Sequence, residues 1–491
     1  MERSSGILLH ISSLPGDDGI GGMGKDAFQF IDFLAKSKQK IWQILPLGPV
    51  GYGNSPYLSY SAFAGNPVFI DIQQLVADRL VLKSSVVSQH FKTKKVEFEK
   101  VEEWKTILFR EAFEAFQKNF QRFKDEYDTF MSLHSWWVDD YALFRSLKTK
   151  NNNTVWNTWD RDLVIRDKQA LHEATEELHD EIDYHRFLQF IFFRQWFKLK
   201  AYANSKGVRI IGDIPLYVSL DSADVWANQD IFQLDADAKP ILVGGVPPDY
   251  FSETGQLWGN PVFDWERVAA RDFDWWLARI QVNLRMFDQV RVDHFRGLES
   301  FWAVAAEAKT AIVGEWLPAK GHELFLKLKE IFGNLHIIAE DLGVITPEVE
   351  KLRDDFGLPG MKILQFAFGS DSENTNLPHN YDSNFVVYTG THDNDTALGW
   401  FNSIEKPERK ILRRYLRGNG KELVRQMIEY VWSSSAMTAI IPMQDVLGLD
   451  SDARMNTPGT ATGNWDWRFS WPQIRSNHPL FIKEITKRYN R

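Results

Sequence analysis

The chain has 491 residues, 57 Lys and Arg against 66 Asp and Glu, a net charge of -9 and no cysteine. That balance gives no basic field to hold a polyanion, which argues against a nucleic-acid partner, and the absence of thiols excludes disulfides and thiolate metal sites. The length suits one large core with insertions or two to three domains, and the 19 Trp and 35 Phe serve mostly that core, with a share available to a sugar-stacking cleft.

In chain order, the first apolar run is Ile7 to Ile11. It is too brief for a signal-peptide core or a membrane span, so the expectation is a soluble cytoplasmic protein with no membrane partner. Next comes Gly19-Ile20-Gly21-Gly22-Met23-Gly24, a match to G-x-G-x-x-G, ahead of a helix-period segment from Asp26 to Lys36. A dinucleotide site also wants an acidic residue about twenty positions on, at the end of the next strand. The strand-like run Ile41 to Leu47 carries none. A glycine-rich turn that needs positive φ is the better reading, and no cofactor is expected.

The interval from about 49 to 206 is too long for a loop. Within it Phe109, Phe113, Phe116, Phe120, Phe123, Tyr127 and Phe130 recur by fours and threes, which predicts one helical stripe packed on the body. After a third run, Val208 to Val218, a second long interval covers about 219 to 271. Its Gly244 to Asn260 stretch, rich in Gly and Pro, reads as a mobile flap over a cleft. Five more runs follow: Val290 to Phe295, His336 to Leu342, Lys362 to Phe368, Phe385 to Thr391 and Thr438 to Met443. Helix-period segments such as Phe273 to Phe287, Glu323 to Ile331 and Glu408 to Val431 fall between them. Strand-helix alternation with eight strands predicts an α/β chain forming a (β/α)₈ TIM barrel, a single catalytic domain over 1–491 with two largely helical insertions; a doubly wound open sheet is the alternative.

Three of these runs end in carboxylates: Arg291-Val292-Asp293-His294, Ala339-Glu340-Asp341 and Thr391-His392-Asp393-Asn394-Asp395. Retaining glycoside chemistry needs a carboxylate nucleophile and a carboxylic acid about 5–5.5 Å apart, one ionised and one protonated. Side chains two apart on a strand share a face, so Arg291 lies beside Asp293 and favours its ionised form. Glu340 follows the apolar Ile337, Ile338 and Ala339, an approach that favours a retained proton, while Asp341 faces away. Asp393 is placed to stabilise positive charge on the sugar. Any one strand-end carboxylate alone reads as a cap or a solvated charge; three together change the reading. A metal site at 391–395 is disfavoured, because adjacent strand residues point apart and no second His cluster stands nearby.

The chain also carries Gly51-Tyr52-Gly53-Asn54-Ser55-Pro56-Tyr57, Gly212-Asp213-Ile214-Pro215, Gly245-Val246-Pro247-Pro248-Asp249-Tyr250-Phe251-Ser252, Gly255-Gln256-Leu257-Trp258-Gly259-Asn260 and Arg291 to Gly297. With the strand-end segments these resemble, over nearly the whole length, the 4-α-glucanotransferases of the amylomaltase (disproportionating enzyme) family, relatives of the α-amylases. The resemblance implies a (β/α)₈ barrel acting on maltooligosaccharides and other α-1,4-glucans. It gives Asp293 as nucleophile, Glu340 as general acid/base and Asp393 as transition-state stabiliser. It further implies that Asp213, Arg291, His294 and His392 line the central subsite, and that Ser55, Tyr57, Asp249, Trp258 and Asn464 contact neighbouring glucose units. On the residues alone, Trp258 equally fits a packing role and Asn464 a turn cap. The rival readings are an α-amylase-type hydrolase, a maltodextrin-binding protein without catalysis, and a nicotinamide-dependent oxidoreductase.

Overall fold

The computed structural model describes residues 2–491 except 88, 249–251 and 461. Among the described residues there are twelve strands: β1 (Ser4–Leu8), β2 (Ile41–Gln43), β3 (Arg209–Ile214), β4 (Leu242–Val246), β5 (Gln256–Pro261), β6 (Gln289–Val292), β7 (Ser300–Ala305), β8 (Glu315–Pro318), β9 (Ile337–Ala339), β10 (Gly360–Ile363), β11 (Phe385–Tyr388) and β12 (Thr438–Pro442). Eight of them form one parallel sheet in the order β10-β11-β12-β1-β2-β3-β6-β9. The two ends meet where the Ala339 amide donates to the Pro359 carbonyl at 2.9 Å, so the sheet curls into a near-closed barrel. Each of the eight contains a stretch of one of the eight apolar runs in the sequence, as a (β/α)₈ architecture requires.

The strands are short and buried on both faces, as parallel strands under helices are. Ile7, Val290, Ile337, Ile338, Val387 and Ile440 are fully buried. β1 begins three residues before its apolar run, on Ser4, Ser5 and Gly6. A Cβ on Gly6 would lie 2.5 Å from the Ile41 carbonyl oxygen, so the close approach of β1 to β2 requires glycine there. The glycine-rich turn after β1 is a packing feature. Gly19 alone of its four glycines has positive φ (78°), and a Cβ on Gly21 would sit 2.0 Å from the Ile11 carbonyl oxygen.

Between β2 and β3 the chain builds a helical insertion. The aromatic stripe spans two helices, Phe98–Lys118 and Lys124–Lys150, broken by a short 3₁₀ turn at Phe120–Arg122. Phe116 packs 4.9 Å from Phe187 and 5.9 Å from Phe190 on the helix His179–Ser205, which leads back into β3. Lys105 is buried to 1% exposure, yet its ammonium donates to the Val68 and Ile70 carbonyls and pairs with Asp18 at 3.2 Å. Those partners offset its desolvation and tie the insertion to the barrel.

The second interval is built differently. β4 pairs antiparallel with β5 and with β7, and β7 with β8, giving a small sheet in the order β5-β4-β7-β8. The stretch read as a flap therefore begins and ends in two hydrogen-bonded strands, β4 and β5, and its residues 249–251 lie outside the described residues. Among the described residues no helix is long and apolar enough to cross a membrane.

Candidate active site

β3 and β6 lie in register, so that Asp213 sits directly opposite Arg291. This alignment lets one guanidinium nitrogen of Arg291 donate to both carboxylate oxygens of Asp213, at 2.9 and 2.8 Å, with both side chains almost wholly buried. The other terminal nitrogen reaches Asp293 Oδ1 at 2.8 Å. Burial works against the charge on Arg291, but Asp213 and Asp293 outweigh it and hold the guanidinium protonated. The expected pairing of Arg291 with Asp293 on one strand face is thus present, with Asp213 as the buried third member.

Immediately after Asp293 the backbone turns through His294, a non-glycine residue in the left-handed region (φ 51°, ψ 46°). That turn aims the His294 amide at Glu340, whose Oε2 accepts from it at 2.7 Å, while Oε1 accepts from the Leu342 amide at 3.2 Å. The two carboxyls, one after β6 and one after β9, thereby share a single backbone turn. Burial pushes the Glu340 carboxyl well above the usual carboxylate range; Arg291 opposes this and the negative charge of Asp293 adds to it. Asp341 turns away, pairs with Arg353 and accepts from the Met361 amide at 2.6 Å, bracing the β9–β10 seam.

Across the cleft, the loop after β2 supplies Tyr57. Its hydroxyl donates to Asp213 Oδ2 at 2.8 Å and lies 2.9 Å from His392 Nε2, with the two rings stacked at 5.3 Å. With the phenol proton on Asp213, this pattern assigns a proton to His392 Nε2, which also approaches Asp393 Oδ2 at 3.3 Å. A continuous polar chain thus runs Asp293, Arg291, Asp213, Tyr57, His392, Asp393. Trp258, on β5, packs edge-on against His294 at 4.8 Å. Burial lowers His294 to about 4, so its ring is neutral at ordinary pH, and its Nε2 has no protein partner.

Two residues expected at the site, Ser55 and Asn464, stand apart from this chain. Ser55 accepts from the Tyr57 amide within its own turn, at 3.3 Å. Asn464 bonds Thr457 and Thr460, holding its own loop. Asp249 lies outside the described residues. Conversely, three residues absent from the sequence reading hold the Asp393 loop. The Asn456 side-chain amide donates to Asp393 Oδ1 at 2.6 Å, and Arg454 donates to the Asp393 carbonyl at 2.6 Å. Buried Asp445 accepts from the Thr389 hydroxyl and the Ala397 amide, clamping both ends of the loop. None of the three was singled out in the sequence: Arg454 and Asn456 lie 61 and 63 residues beyond Asp393 and outside any apolar run, and Asp445, just past the Thr438 to Met443 run, reads alone as a strand-end cap.

A near-closed parallel barrel with three carboxylates beyond the ends of three different strands, one raised by burial and one paired with a buried guanidinium, defines a barrel enzyme of the retaining glycoside-hydrolase type. Comparison with known proteins narrows this. The family model described as 4-alpha-glucanotransferase, glycoside hydrolase family 77, matches residues 9–474, and the chain belongs to that family. The 4-alpha-glucanotransferase of Synechocystis sp. is 50% identical over 494 residues, covering 99% of this chain and 98% of the relative. That of Thermus thermophilus is 45% identical over 497 residues, covering 99% of each chain. Among solved structures, the amylomaltase from Streptococcus agalactiae in complex with acarbose superimposes with a TM-score of 0.96 at 41% identity, covering 100% of both chains.

Proposed function

We propose that this enzyme moves α-1,4-glucan segments between maltooligosaccharides by double displacement on one site. Asp293 attacks the anomeric carbon of the donor while Glu340 gives its proton to the departing glycosidic oxygen. The C–O bond to the leaving glucan breaks and a glycosyl ester forms on Asp293. Glu340, now a carboxylate, takes the proton from the 4-hydroxyl of an acceptor glucan. That oxygen attacks the same carbon, the ester breaks, and the α-linkage is restored with Asp293 free again. Asp393, held by Asn456 and His392, faces the positive charge that develops on the sugar in both steps. Arg291 orients the nucleophile and, with Asp213, His294 and His392, lines the central subsite; Ser55, Tyr57, Asp249, Trp258 and Asn464 contact neighbouring glucose units.

The single observation that carries this reading is the pairing of opposite environments about one turn. Glu340 is pushed toward its protonated form by burial, and Asp293 is in direct contact with the Arg291 guanidinium. The acidic charge balance favours a neutral glucan over nucleic acid, and the lack of cysteine favours a cytoplasmic setting. The single-domain organisation, with insertions at about 49–206 and 219–271, belongs to the same reading.

Hydrolysis is the nearest alternative, differing only in whether water or a glucan resolves the ester. Incubation with maltotriose separates the two. Transfer yields a ladder of longer glucans plus glucose at constant reducing ends. Rising reducing ends with only shorter products would mean hydrolysis, and no change would mean a binding protein.

A further inference from the structure

The segment Arg291 to Gly297 holds a second arginine that the double displacement leaves without a role. Arg296 follows the nucleophile closely, in the 3₁₀ turn Phe295–Leu298, and is 5% exposed. Burial works against its charge, and Glu299 supports it. Burying a guanidinium is costly unless its surroundings compensate, so its contacts are informative.

Those contacts reach three parts of the site. Nη1 donates to the carbonyl of Val344, on the loop that follows Glu340. Nη2 donates at 3.2 Å to Ser300 Oγ at the start of β7, and that hydroxyl donates in turn to Glu299. The guanidinium carbon sits over the Trp316 ring of β8, 3.7 Å from its centre. Stacking combined with forked donors is chemistry that arginine supplies and lysine does not. β7 and β8 belong to the small sheet whose β5 brings Trp258 against His294. Arg296 therefore joins the catalytic turn, the loop of the acid and the small sheet.

The loop needs such an anchor. β9 ends at Ala339, so the strand no longer dictates the direction of Glu340. The Glu340 carbonyl accepts from the Phe295 amide at 3.1 Å, and Oε1 accepts from the Leu342 amide at 3.2 Å. Beyond Leu342 the chain is exposed at Gly343 and Val344, with Gly343 in the left-handed region (φ 86°). A swing of that stretch carries the Leu342 amide away from Glu340, and the bond from Arg296 to Val344 opposes it. Misplacing a catalytic group by about 1 Å costs roughly a hundredfold in rate.

We propose that Arg296 is a positioning residue that aims the Glu340 carboxyl at the glycosidic oxygen by tying the 342–344 segment to the catalytic turn, with Trp316 holding the guanidinium in place. This deepens the glucan-transfer reading above and rests on it.

The test compares two leaving groups in the full-length Arg296→Met protein, with enzyme in excess so that only the first displacement is read. Glucose leaves maltotriose with a proton from Glu340, whereas fluoride leaves α-maltotriosyl fluoride without one. Glucose release slows about a hundredfold relative to wild type, and fluoride release stays within about twofold. KM for maltotriose changes by less than about twofold, because the binding residues are untouched. Trp316→Leu, on the mostly exposed edge strand β8, gives the same split with a roughly tenfold loss on maltotriose, and it carries the test if Arg296→Met does not fold. Equal slowing of both leaving groups, slowing of neither, or a raised KM with no slowing overturns the proposal and leaves the catalytic reading standing. A wild-type enzyme that releases neither glucose nor fluoride defeats the catalytic reading itself.

Discussion

At the residue scale the decisive competition is over the proton on Glu340. Burial favours the neutral acid, and Arg291 and the His294 amide favour the anion. Burial prevails, and the proximity of Asp293 reinforces it. The acid must be protonated when the glycosidic oxygen leaves, so this requirement is met below the raised Glu340 value and fails as pH rises through it, which sets the alkaline limb. The alkaline limb of kcat/KM for maltotriose should therefore lie well above a free glutamate's value of about 4.3. A limb near that value would contradict the assignment of Glu340 as the acid. His294 illustrates a different outcome of the same physics: burial leaves its ring uncharged beside Trp258, with Nε2 free to meet a sugar hydroxyl.

At the scale of elements, the loop after β11 shows how a catalytic carboxylate is fixed. Strand β11 ends at Tyr388, five residues before Asp393, so the strand alone does not set its direction. Asp445 holds the loop's two ends and Asn456 holds the carboxylate itself. A hydrogen bond to a charged group contributes about 1.5–3 kcal/mol. If the Asn456 bond acts in the transition state, Asn456→Ala lowers kcat roughly tenfold to a hundredfold. KM for maltotriose should change by less than about twofold, because the binding residues stay in place. Steady-state kinetics on maltotriose checks this; a raised KM at unchanged kcat would make Asn456 a binding residue instead.

The same elements show what the sequence could and could not reveal. The eight barrel strands were legible because strands buried on both faces read as short, continuous β-branched runs. The strand-end carboxylates were legible because period two and the end of each run fixed their side. β4, β5, β7 and β8 were not. Gly244 and Gly245 interrupt the apolar pattern of β4, and Gly244 is glycine because a Cβ would enter the Tyr217 ring. β8, Glu315–Pro318, is an edge strand with mostly exposed side chains and no apolar alternation. The break in the aromatic stripe at Phe120–Arg122 was hidden for the opposite reason: its periodicity carries through the turn because both helices pack on the same neighbour.

For the whole molecule, the barrel's contribution is to bring distant segments of the chain to one rim. Asp213, Asp293, Glu340 and Asp393 span 180 residues of sequence, yet two are bridged by Arg291, and Glu340 takes its hydrogen bond from the turn beside Asp293. The insertions then add what the barrel lacks. The loop that carries Tyr57 joins the Asp213 and His392 sides, and β5 brings Trp258 over His294. The most direct test of this shared site is covalent. In Glu340→Gln protein given α-maltotriosyl fluoride, fluoride leaves without a proton, but no base remains to activate an acceptor. A maltotriosyl ester should therefore accumulate on the peptide that contains Asp293, detected by mass spectrometry. An adduct on another residue, or rapid turnover with no adduct, would contradict the roles given to both carboxylates.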